Sequence, residues 1–272
     1  MKLSFSTLGC PDWSLAQIAA NARSLGYQGV ELRTKDDNNH FSPDATPAEA
    51  RETAKLFRDQ GVPIFSVMGY CRFAFTDPAE VASNQQLGRK LISIAAAMGA
   101  PYVRAFCGAV PAGSTVAEMT AVVADAVRPL AVDAAKRSIT IAFEIHDDWC
   151  SGSNLMGIVN RVGSPGLGIV YDICNGIHAN LEPWETTYNA IRKHICYCHI
   201  KDGRITPDGK FQYTAIGEGE IPLQAVFKRL KADRFDSYLS FEWEKKWIPE
   251  LAPPEVAFPL YPPKIKAMWD EA

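Results

Sequence analysis

The sequence predicts a single (β/α)8 barrel of the TIM type that spans residues 1–272. Eight short runs rich in β-branched and aromatic residues recur along the chain, and stretches with apolar residues at helical spacing separate them. No low-complexity tract or linker interrupts this alternation. A doubly wound open sheet is the alternative, but the segment after the first run, TLGCPDW, lacks a glycine-rich dinucleotide fingerprint.

Each element is predicted from its residue pattern. The predicted strands cover residues 3–6, 29–32, 64–68, 102–105, 140–145, 167–171, 195–200 and 237–241. The predicted helices cover residues 15–25, 48–60, 79–98, 116–136, 155–162, 184–191 and 223–230. Gly26, Gly61 and Gly99 each follow a predicted helix and precede a strand, where a left-handed residue is expected. Residues 249–263 are rich in proline and are expected to wrap the barrel mouth before a final helix at 264–271.

Composition narrows the possible functions. The fractions of hydrophobic residues, 47%, and of charged residues, 22%, are typical of a soluble globular protein, and the longest apolar stretch is too short to cross a bilayer. A net charge of −3 disfavours nucleic acid as a partner. The N-terminus lacks the apolar region of a signal peptide, and the seven scattered cysteines fit a reducing compartment, so we expect a cytoplasmic protein. The sequence leaves the oligomeric state open, and a homo-oligomer is compatible with it.

Four potential metal ligands stand at the ends of the last four predicted strands. They are Glu144 in ITIAFEIH, Asp172 after LGIVY, His199 in ICYCHIKD and Glu242 in SYLSFEWE. The carboxyl ends of barrel strands meet at one rim, which is where barrel enzymes place their active sites. Oxygen and imidazole ligands suit a divalent ion such as Mn²⁺ or Mg²⁺, and paired carboxylates can also transfer protons.

Strand alternation supports this convergence. Glu144 shares a face with Ala142 and His146, whereas the bulky residues between them would point toward the helices. The same alternation is expected to point Cys196 and Cys198 away from His199, which argues against thiolate ligation. The segment GEGEIPL is expected to be a loop leading into a helix, because its acidic residues would repel a phosphate.

Several short motifs, in their order along the chain, resemble the sugar phosphate isomerase/epimerase superfamily with the xylose isomerase-like barrel. These motifs are STLGCPDWSL, GVELR, FEIH, YDICN, HIKDGR, GEGEIPL and SFEWEKKW. The resemblance implies one divalent ion, Mn²⁺ as the first choice with Mg²⁺, Co²⁺ or Zn²⁺ as alternatives, held by Glu144, Asp172, His199 and Glu242. It also implies that Glu144 and Glu242 act as the catalytic acid and base.

Two positions depart from the ketose 3-epimerase pattern within that superfamily. Asn175 stands three residues after Asp172, where those enzymes have His, and Arg204 follows His199 by five residues instead of six. These differences argue against ketose 3-epimerisation in particular.

The expected activity is isomerisation or epimerisation of a small sugar or polyol by proton transfer through a metal-stabilised enediolate. The alternative is a dehydratase of an inosose or related keto-polyol at the same site, in which one glutamate protonates a departing hydroxyl. An endonuclease IV-like phosphodiesterase is a remote alternative, since five histidines and a negative charge do not suit it. Candidate substrate-binding residues are His146, Lys201, Arg204, Arg33, Arg104 and His178. Glu31 shares a face with Arg33 and is expected to be its ion-pair partner.

Overall fold

Eight parallel strands close into a barrel in the computed structural model, which describes residues 1–37 and 39–272. The barrel strands are β1 (Lys2–Ser6), β2 (Gly29–Arg33), β3 (Ile64–Met68), β4 (Tyr102–Ala105), β5 (Thr140–Glu144), β6 (Leu167–Asp172), β7 (Ile195–Ile200) and β10 (Tyr238–Phe241). Around the barrel the order is β1-β10-β7-β6-β5-β4-β3-β2. The predicted (β/α)8 fold class is therefore confirmed, and each predicted strand agrees with the observed one to within one residue at either end.

Helices cover the outside of the barrel. They are α1 (Leu15–Ser24), α2 (Pro47–Asp59), α3 (Pro78–Met98), α4 (Val116–Lys136), α5 (Gly152–Val162), α6 (Ile173–Ala179), α7 (Trp184–Ile191), α8 (Leu223–Ala232) and α9 (Pro254–Glu271). Capping boxes begin α1, α2 and α4, where the side chain of Ser14, Thr46 or Thr115 accepts a hydrogen bond from the third helical residue. Gly26, Gly61 and Gly99 have positive φ angles, as predicted for residues that follow a helix.

The last helix corrects one prediction. It begins at Pro254, ten residues before the expected start, and contains Pro259, Pro262 and Pro263. Proline lacks the N–H that a helix interior uses, so local preference argues against this helix. Packing outweighs that preference, because Phe258 and Tyr261 are buried against the barrel, and the Tyr261 ring lies 4.6 Å from the Phe241 ring.

An aromatic cluster fills the amino-terminal half of the barrel interior. Phe65 stacks on Tyr238 with ring centroids 3.9 Å apart and meets Tyr197 edge-on at 5.1 Å. Register shifts between β2 and β3, and between β6 and β7, allow Phe65 and Cys196 to join this inner cluster. The expectation that Cys196 faces the helices is therefore wrong, whereas Cys198 does pack in the outer core.

A two-stranded hairpin interrupts the barrel pattern after β7. It consists of β8 (Asp202–Ile205) and β9 (Phe211–Thr214), and the sequence reading did not anticipate it. The Asp202 carboxylate accepts hydrogen bonds from the backbone N–H groups of Gly203, Gly217, Gly219 and Ile221, and so fixes the loop that leads into α8. The GEGEIPL segment is thus a loop before a helix, as predicted.

No helix in residues 1–37 and 39–272 combines the length and the apolar character needed to cross a membrane.

Candidate metal centre

Four side chains meet at the carboxyl-terminal rim of the barrel. Glu144, Asp172 and His199 lie in β5, β6 and β7, and Glu242 directly follows β10. Each offers one ligand atom, and these atoms all lie within 4.8 Å of one another. All four side chains are buried. Strands β5, β6, β7 and β10 are consecutive neighbours in the barrel, which explains why their ends converge.

The imidazole of His199 gives the strongest indication of what fits there. Its Nε2 lies 2.8 Å from Glu31 Oε2, so this nitrogen donates to Glu31 and Nδ1 is the atom that faces the other carboxylates. Nδ1 lies 3.1 Å from Glu242 Oε1 and 3.4 Å from Glu144 Oε1, yet it is buried and makes no hydrogen bond. Burial opposes protonation of His199, but Glu242, Glu31 and Glu144 raise its pKa well above the usual value, so Nδ1 is a site for a proton or for a metal cation that takes its place.

Asp172 supplies a second buried atom, Oδ2, which makes no well-aligned hydrogen bond although it lies 2.9 Å from Lys201 Nζ. This oxygen lies 4.0 Å from His199 Nδ1, on the same side of the cluster. Three carboxylates and one imidazole are a donor set that suits divalent ions. The buried cluster could therefore bind a divalent metal, and its donor chemistry fits one.

Two buried cations neutralise part of the cluster. Arg104 donates from Nε to Glu144 Oε2 and from a terminal nitrogen to the Gly69 carbonyl at 2.9 Å. Lys201 Nζ lies 2.7 Å from Glu242 Oε2, 2.9 Å from Asp172 Oδ2 and 2.9 Å from Glu244 Oε1. The candidate substrate contacts Arg104 and Lys201 are thus found at the site, where each is engaged by candidate ligands.

These charges set the ionisation of the carboxylates. Burial acts to raise the pKa of Glu144, but the positive charges of Arg104 and His199 outweigh it and lower that pKa to about 2. Burial likewise opposes ionisation of Glu242, yet His199 and Lys201 hold its pKa well below the usual range. Burial raises the pKa of Asp172 to about 7, despite the opposing charge of Lys201, and the neighbouring glutamates add to this rise.

Glu31 has a role that the sequence reading assigned wrongly. Besides His199, its carboxylate accepts hydrogen bonds from the hydroxyl groups of Tyr197, Ser66 and Ser240, so it lies at the centre of a fully buried network. It is not the partner of Arg33. Sequence patterns do not reveal this contact, because Glu31 and His199 are far apart in the sequence and lie in strands that are not neighbours in the barrel.

Arg33 is buried close to the rim, but its donors are already used. Its guanidinium binds Asp37 and Asn39, with distances of 2.9 and 3.1 Å from one terminal nitrogen, and its Nε donates to the Tyr70 hydroxyl at 3.0 Å. Arg33 therefore shapes the rim from strand β2 and has few donors left for a substrate.

The remaining predicted contacts have partners outside the four candidate ligands. His146 packs 4.6 Å from the Phe106 ring, and its Nδ1 lies 2.9 Å from Asp147 Oδ1. The exposed His178 faces the hairpin, and its Nε2 lies 3.4 Å from the Gly209 carbonyl oxygen. Arg204 is exposed on the hairpin and donates to the Glu218 carbonyl at 3.0 Å. The structure therefore does not bring His178 or Arg204 into contact with the four candidate ligands.

Comparisons with known proteins place the fold. Residues 19–258 match the model of the family described as the xylose isomerase-like TIM barrel. No curated protein matches the chain significantly. Among solved structures, a protein named IOLI, determined with a bound zinc atom, is similar over 100% of this chain and 99% of its own, with a TM-score of 0.83 and 20% identity.

Two enzymes share the fold at lower identity. An L-ribulose 3-epimerase has a TM-score of 0.81 and 17% identity, and the match covers 99% of this chain and 95% of the epimerase. A probable 3-DHS dehydratase, AsbF from Bacillus anthracis, has a TM-score of 0.71 and 16% identity over 90% of this chain and 93% of its own. These likenesses show a shared fold, and the match of the family model to most of the sequence shows that the chain belongs to the xylose isomerase-like TIM barrel family.

Proposed function

We propose that this protein is a divalent-metal-dependent isomerase or epimerase of a small sugar or polyol. The observation that carries the proposal is the convergence of Glu144, Asp172, His199 and Glu242 around the unpartnered Nδ1 of His199. We assign these four residues as the metal ligands, with Mn²⁺ as the first choice. We propose further that residues 1–272 act as one domain, because the ligand-bearing strands close the same barrel as β1 to β4.

When bound, a divalent ion would supply a Lewis acid that makes the C–H group beside a substrate carbonyl more acidic. The chain itself supplies the groups that move the proton. Contacts with Arg104 and Lys201 keep Glu144 and Glu242 ionised, so both are in the protonation state that a base requires.

Glu144 and Glu242 approach the ligand cluster from different strands, β5 and the end of β10. In the proposed mechanism one glutamate removes a proton from one face of the carbon and the other returns a proton to the opposite face, which gives epimerisation. If the proton returns to the neighbouring carbon instead, the result is isomerisation. Burial of both carboxylates keeps water from competing with this transfer.

A dehydratase is the second candidate, supported by the likeness in fold to the probable 3-DHS dehydratase. Here one glutamate would remove the proton while the other protonates a departing hydroxyl group on the next carbon. The two reactions use the same carboxylates and differ only in the fate of that hydroxyl.

Exchange of substrate protons with solvent tests the proposal. The protein loaded with Mn²⁺ is incubated in D₂O with a panel of keto sugars and inososes, and products are followed by NMR and mass spectrometry. Deuterium at carbon in a product that has lost no water supports the isomerase or epimerase, whereas loss of water identifies the dehydratase. No exchange and no product with any member of the panel would contradict the proposal.

Variants locate the chemistry. Glu144→Gln and Glu242→Gln should each abolish exchange, and the metal content of each variant is measured so that loss of the ion is distinguished from loss of the base. Glu52→Gln, which removes an exposed carboxylate on α2, is the matched control and should exchange normally. Full exchange in both site variants would rule out the two-carboxylate mechanism.

A further inference from the structure

Three positive charges surround one aromatic ring at the barrel rim. The ring is that of Tyr70, which follows β3. Its centroid lies 5.3 Å from Arg33 Cζ, 5.1 Å from Lys35 Nζ and 5.2 Å from Arg104 Cζ. So much positive charge in one place requires negative partners.

Two of these cations have such partners within the protein. Arg33 forms its ion pair with Asp37, and Arg104 forms one with Glu144. Lys35 differs, because across residues 1–37 and 39–272 it has no carboxylate within ion-pair distance. Of the three cations, Lys35 is therefore the one whose charge is not neutralised by an ion pair.

Lys35 is nevertheless held in place. Its Nζ lies between two rings, 5.1 Å from the centroid of Tyr70 and 5.3 Å from that of Trp247. The faces of aromatic rings attract an ammonium group, but they do not replace the oxygen acceptors that its N–H groups need. Lys35 is only partly buried, so a ligand can reach it.

Its position connects it to the candidate metal centre. Lys35 follows β2 and continues the face of Glu31 and Arg33, the first of which touches His199. Lys35 Nζ and the Arg104 guanidinium lie 5.1 Å and 5.2 Å from the centroid of the Tyr70 ring, so the distance between these two groups cannot exceed the sum of those two values. Arg104 contacts Glu144, so a single small molecule can span from the cluster to Lys35.

We infer that Lys35 binds an anionic group at the end of the substrate remote from the reacting carbon, so that the substrate is a keto sugar or polyol bearing a carboxylate or a phosphate. The inference rests on the proposed function, since it concerns the substrate of that same site. Trp247 would form the outer wall of this anion site. Lys246, which is also partly buried, adds positive charge nearby. Its proximity is visible in the pKa of Asp37, which is lowered mainly by the hydrogen bond from Arg33 and further by the charges of Lys246 and Lys35.

Three probes with one carbon skeleton test this inference. D-fructose is neutral, D-fructose 6-phosphate carries a phosphate at the remote carbon, and D-fructuronate carries a carboxylate there. Binding to the Mn²⁺-loaded protein is measured by calorimetry. A charge-assisted contact should make one acid bind about tenfold or more tightly than fructose, and this preference should shrink as salt is added. The acid that gains more identifies the anionic group.

Variants of Lys35 are paired with a control. Lys35→Met should remove the preference for the acid, and Lys35→Arg should keep most of it. Lys55→Met removes an equal charge from α2, far from the rim, and should behave like the unaltered protein. Equal binding of fructose and both acids, a preference that survives Lys35→Met, or no measurable binding of either acid would overturn the inference.

The outcomes are separable from those of the proposed function. Exchange on neutral keto sugars without any Lys35-dependent preference would support the enzyme activity and overturn the anion site. Lys35-dependent binding of an acid, with no exchange on any sugar, would do the opposite.

Discussion

Glu31 Oε2 lies 2.8 Å from His199 Nε2, and both side chains are completely buried. A carboxylate in this position fixes the orientation of the imidazole, so that Nδ1 is directed at Glu144 and Glu242. The orientation of the nitrogen ligand in the cluster therefore depends on a residue three strands away around the barrel.

Glu31→Gln should weaken metal binding by about 10- to 100-fold, because a neutral amide fixes the imidazole less well than a carboxylate. The affinity for Mn²⁺ is measured by electron paramagnetic resonance or calorimetry. Tyr197→Phe, which removes one hydrogen bond to Glu31, should have a smaller effect in the same direction. An unchanged affinity in Glu31→Gln would show that Glu31 has no part in positioning the ligand.

Removal of the metal should lower thermal stability. Three carboxylates around one imidazole repel one another without a cation, and an ion that binds only the folded state stabilises it by about 2.7 kcal/mol at 100 times its dissociation constant. For a protein of this size that corresponds to about 5 to 10 °C in the unfolding midpoint. Calorimetry with excess Mn²⁺ and with EDTA should show this difference, and coinciding midpoints would argue against a metal centre.

Lys201→Met should destabilise the metal-free protein by about 3 kcal/mol, because it leaves three carboxylates without their shared buried cation. Denaturant unfolding in EDTA measures the loss. Lys210→Met removes a highly exposed lysine paired with Asp208 and should change stability by less than about 1 kcal/mol. Equal stability of the two variants would contradict the assignment of Lys201 as a buried ion-pair centre.

Asp202→Ala should release the loop at residues 215–221, since it removes the acceptor of four backbone N–H groups. We expect a loss of about 2 kcal/mol or more in the free energy of unfolding. Hydrogen exchange should become faster at Gly217, Gly219 and Ile221 while exchange in β5 stays slow. Unchanged protection of the loop would refute this role.

Stability should fall as the pH is lowered from about 6.5 to about 4, partly because of His40. Burial lowers the pKa of His40 to about 4 in the folded state, below the value of about 6.5 expected when unfolded. Its Nε2 faces the Cys10 carbonyl at 3.1 Å, and the buried Nδ1 has no acceptor for an added proton. The unfolded chain therefore binds the proton more readily in this range, and stability rises with pH up to about 6.5.

His40→Asn is the matching variant, because asparagine tolerates the positive φ of 62° at this position. Between pH 4 and pH 6.5 its unfolding free energy should vary less than that of the unaltered protein, by on the order of 2 kcal/mol. Denaturant titrations at several pH values measure both slopes, and identical slopes would exclude His40 as a contributor.

Local patterns were sufficient to predict the barrel. Runs such as TIAFE and LGIVYD are short, mostly apolar and end in an acidic residue, and Gly26 and Gly61 mark helix ends. The convergence of the four candidate ligands could also be anticipated, because consecutive barrel strands end at one rim.

Features that depend on tertiary contacts could not be read in this way. The partner of Glu31 depends on which side chains meet across the barrel, and Cys196 turns inward only because β6 and β7 shift register there. The proline-containing start of α9 is stabilised by the burial of Phe258, and this tertiary contact cannot be predicted from the helix propensity of the residues. The free charge of Lys35 becomes visible only once the partners of Arg33 and Arg104 are known.

The aromatic cluster of Phe65, Tyr197 and Tyr238 determines from which end of the barrel a ligand can enter. It closes the barrel axis below the ligand cluster, so a molecule that reaches Glu144 and Glu242 has to enter and leave by the carboxyl-terminal rim. Under the proposed function, product therefore has to leave by this rim before the next substrate can bind, and bulky side chains added there should slow both steps.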